Sequence, residues 1–342
     1  MRRVLYIDAS CFYGGAQASL ASLLKKRSNE EQQLLVAGCK ELVPGIAIKT
    51  HHYRPCLCGI AQLLGDASQA RAQVSSAIGS FKPNAIYLNT LRSALLWIAM
   101  HIKSNARIVL HDRDVRCPGI LPRIVDSLLH PAVLAVSERV ASKWRFLPQD
   151  RISVIPNLFD VKAIACTTPA SLPFCPGSLN VIMAGDFTPW KNHAMLVDAM
   201  DIVRRECPDA KCLLKGRAHT PQDARHLQWL RSKILKMNLH ETVFINDADE
   251  AALPYIAACD CLVTCSHLEP FGRTVVEALA MGKPVASTIY GADEHLLADC
   301  PAISMADENP QSLAKAILKW RSQESRNDAR QYALARAGKY SI

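Results

Sequence analysis

Short apolar runs alternate with amphipathic stretches along the whole chain. The runs that we predict to be strands are VLYID, LLVAG, AIYLN, RIVLH, VLAVS and ISVIP in the first part, and NVIMAG, AKCLLKG, VFIND, CLVTC and PVAST in the second. Apolar strands separated by helix-length segments are typical of parallel sheets with crossover helices. The pattern therefore predicts an α/β fold built from parallel sheets.

A proline-containing segment separates the two sets of strands. Residues 166–179, CTTPASLPFCPGSL, have the composition of a linker. A chain of 342 residues is also long for a single core and suits two domains. We therefore predict two doubly wound domains, residues 1–165 and 180–342, with ligands bound at the carboxyl ends of the strands in the cleft between the domains.

Composition narrows the class of protein. Apolar residues make up 49% of the chain and aromatic residues 6%, which fits a soluble α/β protein without disordered regions. No apolar stretch of the signal-peptide type precedes the first predicted strand. The longest apolar helix candidate, residues 94–102, is too short to span a bilayer. We therefore expect a cytoplasmic protein.

Charge and cysteine content bear on the partners. The formal net charge is +9, from 40 Lys and Arg against 31 Asp and Glu. Nucleic acid is not favoured as a partner, because no recognition helix and no basic stripe interleaved with aromatic residues appears. We favour instead a basic surface that attracts either the phosphates of an anionic substrate or an anionic membrane face, and the second alternative would make the protein peripheral on the inner face of the membrane. The 13 cysteines are scattered without a CxxC pair, which predicts reduced core thiols.

The segment 269–285, EPFGRTVVEALAMGKPV, places two carboxylates eight positions apart around a predicted helix start. Pro270 and Gly272 interrupt regular structure, the residues from Thr274 onward favour helix, and Gly282 ends it. The unpaired amides of the first helical turn form a site suited to phosphate. Glu269 and Glu277, on either side of it, suit the hydroxyl groups of sugars. The alternative is a surface helix whose Glu277 pairs with a neighbouring cation in water.

This E-x7-E arrangement, with PFG after the first Glu and EALAMGKPV after the second, resembles the nucleotide-sugar site of retaining glycosyltransferases of family 4, within glycosyl transferases group 1. The resemblance implies the GT-B fold, in which two Rossmann-like doubly wound domains face a central cleft. It implies that Glu269 contacts the donor sugar and Glu277 the ribose hydroxyls. The diphosphate would be held by amides of five consecutive residues: Phe271, Gly272, Arg273, Thr274 and Val275.

Two candidates lie in the first domain. Gly14 and Gly15 follow the first predicted strand, but their spacing is not the GxGxxG of a dinucleotide fingerprint. They form either a simple tight turn or, as the resemblance implies, a glycine pair that faces the donor diphosphate or the acceptor. His111 ends the strand RIVL, and the resemblance implies that it contacts the donor sugar. Arg113 lies in the loop that follows, where solvated arginines are common.

The loop MAGDFTPWKN supplies further candidates. The family pattern here is a strand, Gly-Arg, four residues and a Lys, which is matched by Gly185 and Lys191. A lysine ammonium beside a helix start would meet the charge of a departing diphosphate. Asp186 stands at the position of the family's arginine, so one cation is lost and an anion is added. We expect Arg217 or Arg273 to compensate.

Two DxD triplets, at residues 112–114 and 247–249, match a pattern that holds a divalent cation in other glycosyltransferases. Two matches among 31 acids are close to chance, and the resemblance implies a fold that works without metal, so we predict neither a metal site nor a cofactor. Glu294 partly matches the family's GG-x-x-E loop, with Ala292 in place of the second glycine, and is a candidate donor contact.

We therefore expect a retaining hexosyltransferase that uses a nucleoside diphosphate sugar and a carbohydrate or lipid-linked acceptor, in the assembly of cell-surface polysaccharide or glycolipid. The pathway rests on family analogy. Two alternatives stay open. One is an epimerase or phosphorylase with the same fold, and the other is a nucleotide-sugar-binding protein without catalytic activity, to which Asp186 points.

Overall fold

A computed structural model of the protein describes residues 2–10, 12–27, 31–38, 49–52, 60–175 and 178–342. The chain divides into two compact units, Met1–Phe159 and Asp160–Ile342, called here the first and the second unit. The helix Val161–Ala165 therefore belongs to the second unit, whereas the sequence assigns these residues to the first domain.

The first unit contains one parallel sheet of seven strands in the order β3-β2-β1-β4-β5-β6-β7. The strands are β1 Arg2–Asp8, β2 Glu31–Ala37, β3 Lys49–His52, β4 Ala85–Leu88, β5 Arg107–Asp112, β6 Ala132–Ala135 and β7 Ile152–Val154. The helices are α1 Gly15–Arg27, α2 Ile60–Phe81, α3 Leu91–Met100, α4 Leu121–Leu129 and α5 Glu138–Ala141.

The second unit contains one parallel sheet of six strands in the order β10-β9-β8-β11-β12-β13. The strands are β8 Asn180–Ala184, β9 Lys211–Lys215, β10 Val243–Asn246, β11 Cys261–Thr264, β12 Val285–Thr288 and β13 Ile303–Ala306. The helices are α6 Val161–Ala165, α7 His193–Glu206, α8 Pro221–Lys236, α9 Leu253–Ala258, α10 Arg273–Ala280, α11 Glu294–Leu297, α12 Pro310–Leu318 and α13 Gln323–Gly338.

The predicted α/β class with doubly wound parallel sheets is confirmed. All eleven predicted strands are present. The apolar runs of the central strands are buried, and every residue of β8, for example, is buried, whereas the edge strand β7 is partly exposed. The prediction missed β3 and β13. The first reads KTHH and has no apolar run, and the second reads ISMA, in which Ser304 interrupts the apolar residues.

Strand order fixes where each unit can bind a ligand. In the first sheet the winding direction reverses between β1 and β4, and in the second sheet it reverses between β8 and β11. The loops that leave the carboxyl ends of two such strands diverge to opposite faces of the sheet, and the space between them is the usual ligand site of a doubly wound fold. Among the described residues, no helix is long and apolar enough to cross a membrane.

Gly216 brings the carboxyl ends of β8 and β9 close together. The Gly185 amide donates to the Lys215 carbonyl at 2.9 Å, and the Phe187 amide donates to the Arg217 carbonyl at 2.8 Å. A Cβ atom on Gly216 would overlap the carbonyl oxygen of Gly185. Because that oxygen belongs to the backbone, no side-chain rotation relieves the overlap, and the approach of the two loops requires glycine at this position.

We expect Gly216→Ala to lower the free energy of unfolding by about 1 to 3 kcal/mol, the usual cost of overpacking. The matched control is Gly79→Ala in α2, where an added Cβ would meet nothing within 4 Å. That exchange should be neutral or stabilise the protein by about 0.4 to 1 kcal/mol, because alanine favours helix and restricts the unfolded chain. Urea unfolding of the three proteins measures both effects. Equal stability of the two variants would contradict the close approach.

Candidate active site

The helix α10 begins where the segment 269–285 predicts. Gly272 is its N-cap residue with φ +97°, Met281 is the C-cap and Gly282 follows with φ +71°. A Cβ on Gly272 would overlap the side chain of Ala292 as well as strain the backbone. Glycine is thus required for two reasons at the residue that turns the chain into the helix, and the first-turn amides lie at the carboxyl edge of the sheet.

One of the backbone amides that we expected to bind phosphate is already hydrogen-bonded within the protein. The Val275 amide donates to the Gly272 carbonyl at 3.1 Å, so the prediction of an unpaired N–H at Val275 is wrong. The tight turn at the left-handed Gly272 brings that carbonyl within reach. The first-turn amides of Gly272, Arg273 and Thr274 keep the position that the sequence predicts. Phe271 is buried, and its carbonyl accepts from the Asp293 amide at 2.8 Å.

Lys191 and Glu269 form an ion pair at the switch point of the second sheet. Lys191 Nζ lies 2.7 Å from Glu269 Oε2, and their side chains are 18% and 15% exposed. Lys191 comes from the loop after β8 and Glu269 from the loop after β11, which are the two loops that diverge there. Ser266 Oγ also donates to Glu269 Oε2 at 3.0 Å, and the Lys191 ammonium lies 4.3 Å from the centre of the Trp190 ring.

Backbone hydrogen bonds hold the loop that carries Glu269. The His267 amide donates to the Trp190 carbonyl at 2.9 Å, and the Glu269 amide donates to the Tyr290 carbonyl at 3.0 Å. The loops after β8, β11 and β12 are therefore bonded to one another. Gly185 lets Lys191 pass close to the backbone, because a Cβ there would lie 3.3 Å from Lys191 Cε.

Glu277 is mostly but not completely buried. Its side chain is 12% exposed, and its Oε1 atom lies 3.4 Å from Arg273 Nη2, one helical turn earlier. Burial raises the pKa of Glu277, and the charge of Arg273 opposes that shift. The alternative of a carboxylate paired in open water does not describe this environment. Glu277 is therefore a largely desolvated acceptor on α10 itself.

Asp186, the residue at the family's arginine position, faces a histidine. His219 Nε2 in the loop after β9 lies 3.2 Å from Asp186 Oδ1. Burial raises the pKa of Asp186, but the hydrogen bond and charge of His219, with the charges of Lys191 and Arg217, outweigh burial and leave the pKa below its ordinary value. Asp186 is therefore held as an anion in the electrostatic field of these basic side chains.

Arg217 and Glu294 are the remaining charged residues that the sequence predicts for the site of the second unit. Arg217 Nη1 is 2.5 Å from Asp249 Oδ1, a carboxylate whose side chain is 85% exposed. Glu294 is the first residue of α11 and is exposed, next to Asp293, whose carboxylate caps that helix. The sequence predicts that Arg217 or Arg273 offsets the charge of Asp186. In the structure, each of these arginines pairs with another carboxylate.

In the first unit a buried hydrogen-bond network spans the strand ends. Asn89 Nδ2 donates to Asp8 Oδ2 at 2.6 Å, and Arg113 Nε donates to Asn89 Oδ1 at 3.2 Å. Gln17 Nε2 donates to both oxygens of Asp8, and its own Oε1 atom accepts from the Gly14 amide at 3.1 Å. Arg113 is thus buried rather than solvated, and it connects the end of β5 to the loops after β1 and β4.

His111 and the two glycines lie in the first unit, apart in sequence from the ion pair of the second. His111 is buried, and its Nδ1 atom contacts the Tyr87 hydroxyl and lies 3.1 Å from Arg113 Nη2. Burial, and then the Arg113 charge, lower the pKa of His111 well below its usual value, so the imidazole is neutral near pH 7. Gly15 is the first residue of α1, and Gly14 precedes it.

Both DxD triplets are engaged by basic or hydrogen-bonding side chains. Asp112 Oδ2 lies 2.8 Å from Lys143 Nζ and accepts from Trp144 Nε1 at 2.8 Å. Asp247 Oδ2 lies 2.9 Å from Arg231 Nη2, and Asp249 pairs with Arg217. Within the part of the chain that the structure describes, no group of three or more His, Cys, Asp or Glu side chains is arranged to hold a metal ion.

Sequence reasoning missed several residues that shape the site. Ser266 supports Glu269, Trp190 underlies Lys191 and His219 faces Asp186. Trp190 is adjacent to Lys191 in the sequence, and Ser266 lies three residues before Glu269, so both were within reach of a local argument. His219 was not, because only the pairing of β8 with β9 brings its loop to Asp186.

Comparisons with known proteins bear on the family and the fold of this chain. Residues 169–336 match the family described as Glycosyl transferases group 1. A segment covering 32% of the chain is 30% identical to mannosylfructose-phosphate synthase of Agrobacterium fabrum and spans 25% of that protein. The chain thus matches about a quarter of the length of this curated relative.

Solved structures extend the likeness to the whole chain. The Anabaena protein HepE, solved in complex with UDP and glucose, has a TM-score of 0.83 and 21% identity, covering 100% of this chain and 96% of its own. Sucrose-phosphate synthase from Thermosynechococcus elongatus has a TM-score of 0.81 and 15% identity, covering 99% and 95%. The chain therefore has the GT-B fold. Within its second unit, residues 169–336 match the glycosyl transferases group 1 family.

The site of the first unit yields a pH prediction. Burial, and then the negative charge of Asp112, raise the pKa of Asp114 to about 6. The folded state therefore binds the Asp114 proton more tightly than the unfolded state, and this contribution to stability is complete below about pH 4 and lost as the pH rises past about 6. Relative to Asp114→Asn, the wild-type protein should lose about 1 to 3 kcal/mol of unfolding free energy between pH 4 and 7.

Urea unfolding at several pH values measures this difference. Asp150→Asn, at an exposed position, serves as the control and should track the wild-type protein at every pH. A constant difference between wild-type and Asp114→Asn protein across the window would show that Asp114 titrates alike in the folded and unfolded chain.

Proposed function

We propose that this protein is a retaining glycosyltransferase that moves a sugar from a nucleoside diphosphate sugar to an acceptor hydroxyl. The observation that carries the proposal is the Lys191–Glu269 ion pair at the switch point of the second sheet, in the unit that matches glycosyl transferases group 1. In this proposal Lys191 is the cation that meets the phosphate and Glu269 is the acceptor for sugar hydroxyls, one on each of the two diverging loops of the sheet.

The donor, in this proposal, replaces each partner of the ion pair. The diphosphate takes Lys191 and the first-turn amides of α10, and the sugar hydroxyls take Glu269. The exchange is favoured because a doubly charged diphosphate attracts the ammonium more strongly than a single carboxylate does. Glu277, a largely desolvated residue of α10, accepts from the ribose hydroxyls. The Anabaena protein of similar fold was solved with UDP and with UDP-glucose, which supports a uridine nucleotide as the first donor to test.

The proposed chemistry is a front-face displacement. No side chain of the second unit is assigned as a nucleophile; the departing phosphate accepts the proton of the acceptor hydroxyl while the new glycosidic bond forms on the face that the leaving group vacates. The protein contributes positioning and charge stabilisation, with Lys191 at the leaving group and Glu269 at the sugar. His111, neutral because of its burial and the charge of Arg113, is proposed as a hydrogen-bonding group for the sugar rather than as an acid.

The acceptor is proposed to bind to the first unit. Gly14 and Gly15 at the start of α1, and the polar strand ends around Asn89, face the carboxyl edge of that sheet, where doubly wound folds bind ligands. We propose a carbohydrate or lipid-linked acceptor of cell-surface polysaccharide or glycolipid assembly, reached by a protein that binds peripherally to an anionic membrane. Family analogy and the basic character of the chain support this part.

A second candidate is a nucleotide-sugar-binding protein that does not catalyse transfer. The observation that favours it is Asp186, which brings an anion to the position where the resembled family has an arginine. If His219 does not offset that charge, the departing diphosphate lacks one of the two cations of the family pattern. Release of nucleoside diphosphate from donor without acceptor separates the two candidates, because a binding protein releases none.

We expect Glu277→Gln to weaken donor binding and Lys191→Met mainly to slow turnover, each by about 2 to 4 kcal/mol, since both groups are largely desolvated. Donor binding is measured by the melting shift with UDP-glucose, and turnover by released UDP. The matched controls are Glu324→Gln and Lys162→Met, both exposed in the second unit. Unchanged donor affinity in Glu277→Gln would refute the ribose contact, and unchanged turnover in Lys191→Met would refute the role at the leaving group.

We also expect turnover to be unaffected by removal of divalent cations, because the proposal assigns charge neutralisation to Lys191 and the start of α10. Donor hydrolysis is followed before and after dialysis against EDTA, and then after addition of Mg²⁺ or Mn²⁺. Loss of turnover on chelation, with recovery on adding either metal, would overturn the assignment and direct attention to the carboxylates of the site.

A further inference from the structure

The two nitrogen atoms of the His111 ring lie in different surroundings. The residue is 5% exposed, near the carboxyl end of β5. Its Nδ1 atom contacts the Tyr87 hydroxyl and lies 3.1 Å from Arg113 Nη2. Its Nε2 atom is buried and, within the described residues, forms no hydrogen bond of normal geometry. Because the ring is neutral near pH 7, it carries one proton, and the groups around Nδ1 decide where that proton lies.

Arg113 determines which nitrogen carries the proton. A guanidinium has five N–H donors and no acceptor, so a hydrogen bond between Arg113 Nη2 and His111 Nδ1 requires Nδ1 to accept. The neutral ring then holds its proton on Nε2. The Tyr87 hydroxyl alone does not decide this, because a hydroxyl both donates and accepts. Next to a proton-free Nδ1 it donates as well.

A series of buried hydrogen bonds fixes the guanidinium of Arg113. The Asp8 carboxylate accepts from Asn89 Nδ2 at 2.6 Å, which orients the amide so that its oxygen faces Arg113 Nε at 3.2 Å. Asn157 Oδ1 accepts from Arg113 Nη1 at 2.5 Å. Because a carboxylate accepts and a guanidinium donates, each of these bonds has only one possible direction. The third nitrogen, Nη2, is thereby directed at His111.

The series ends on the Nε2–H group of His111. The backbone carbonyl of Ile155 acts on the ring as an acceptor and opposes the lowering of the His111 pKa. It does not complete a hydrogen bond of normal geometry with Nε2. A buried donor without a full partner costs free energy, and a ligand oxygen that completes the bond recovers it. The ring lies at the carboxyl edge of the first sheet, where doubly wound folds bind ligands.

We propose that Arg113 is a positioning residue that fixes His111 in the tautomer protonated on Nε2, so that His111 donates a hydrogen bond to an oxygen atom of a bound sugar. The sugar in this statement rests on the proposed function, whereas the tautomer is a property of the protein without ligand. The contact selects an oxygen that accepts, such as a hydroxyl or a ring oxygen, and excludes a group that only donates. Arg113 acts through His111 rather than on the sugar itself.

NMR of the full chain with isotope-labelled histidine, recorded without ligand, tests the tautomer. The His111 signals are assigned by their loss in His111→Gln, and we expect the Nε2–H form in the wild-type protein. Arg113→Met should give a mixture of the two tautomers, because only the Tyr87 hydroxyl remains at Nδ1. Arg113→Lys, which keeps a group that only donates, and the control Arg145→Met, at an exposed position, should both retain the Nε2–H form.

Two amide substitutions of His111 test the donor role in turnover. A glutamine amide brings its N–H group near the position of Nε2, whereas an asparagine amide reaches only the position of Nδ1. We expect His111→Gln to keep kcat/KM for UDP-glucose within about threefold, and His111→Asn and Arg113→Met to lower it about tenfold or more, with partial recovery in Arg113→Lys. Turnover is followed as released UDP. His240→Gln and His240→Asn, at an exposed position, are the controls and should match the wild-type protein.

Three results would overturn the inference. They are an Nδ1–H form of His111 in the wild-type protein, a tautomer that does not change in Arg113→Met, and equal turnover of His111→Gln and His111→Asn. The melting temperature of each variant excludes loss of fold as the cause, and the wild-type spectrum decides the tautomer even if Arg113→Met does not fold. If the wild-type protein releases no UDP, the proposed function fails while the NMR result still stands, so the two failures are distinguishable.

Discussion

Both units depend on the same constraint, the parallel alignment of every strand in a sheet. Parallel strands end at one edge, and every loop from a carboxyl end must turn there into a helix. Where the winding reverses, the two loops part and leave polar backbone and side chains without strand neighbours. In the second unit these loops carry Lys191 and Glu269, and in the first they carry the network from Asp8 to Arg113. The position of each polar cluster follows from strand order before any particular chemistry is considered.

The two clusters differ in how their charge is balanced. In the first unit, the neutral amide of Asn89 hydrogen-bonds to both Asp8 and Arg113 and lies between their charges. In the second unit, charges meet directly: Lys191 with Glu269, Arg273 with Glu277 and Arg217 with Asp249, and the Asp186 carboxylate faces the His219 imidazole. A ligand entering the second cluster competes with existing partners, so its binding energy is the difference between two sets of ionic contacts. Such a cluster distinguishes ligands by charge arrangement more than by total charge.

Most of the fold could be predicted from the sequence, because the patterns that indicate strands and helix ends are local. Apolar runs predicted eleven strands, and the positions of Gly272 and Gly282 predicted the two ends of α10 to within a residue. Three errors had one origin, since each depended on a contact that the sequence pattern does not contain. Val275 lost its unpaired amide to the turn at Gly272, Arg113 was drawn into the buried network by Asn89, and His219 reached Asp186 through the pairing of β8 with β9. The roles of the individual site residues remain predictions from the resemblance.

The contact between Gly272 and Ala292 limits how this chain can change. The two residues share a volume that admits one methyl group, which Ala292 supplies. Position 272 cannot take that methyl group instead, because its φ of +97° disfavours any side chain. Ala292 is itself fully buried, so we expect a larger side chain at that position to crowd the start of α10. The size of the side chain at residue 292 thus constrains the position of α10.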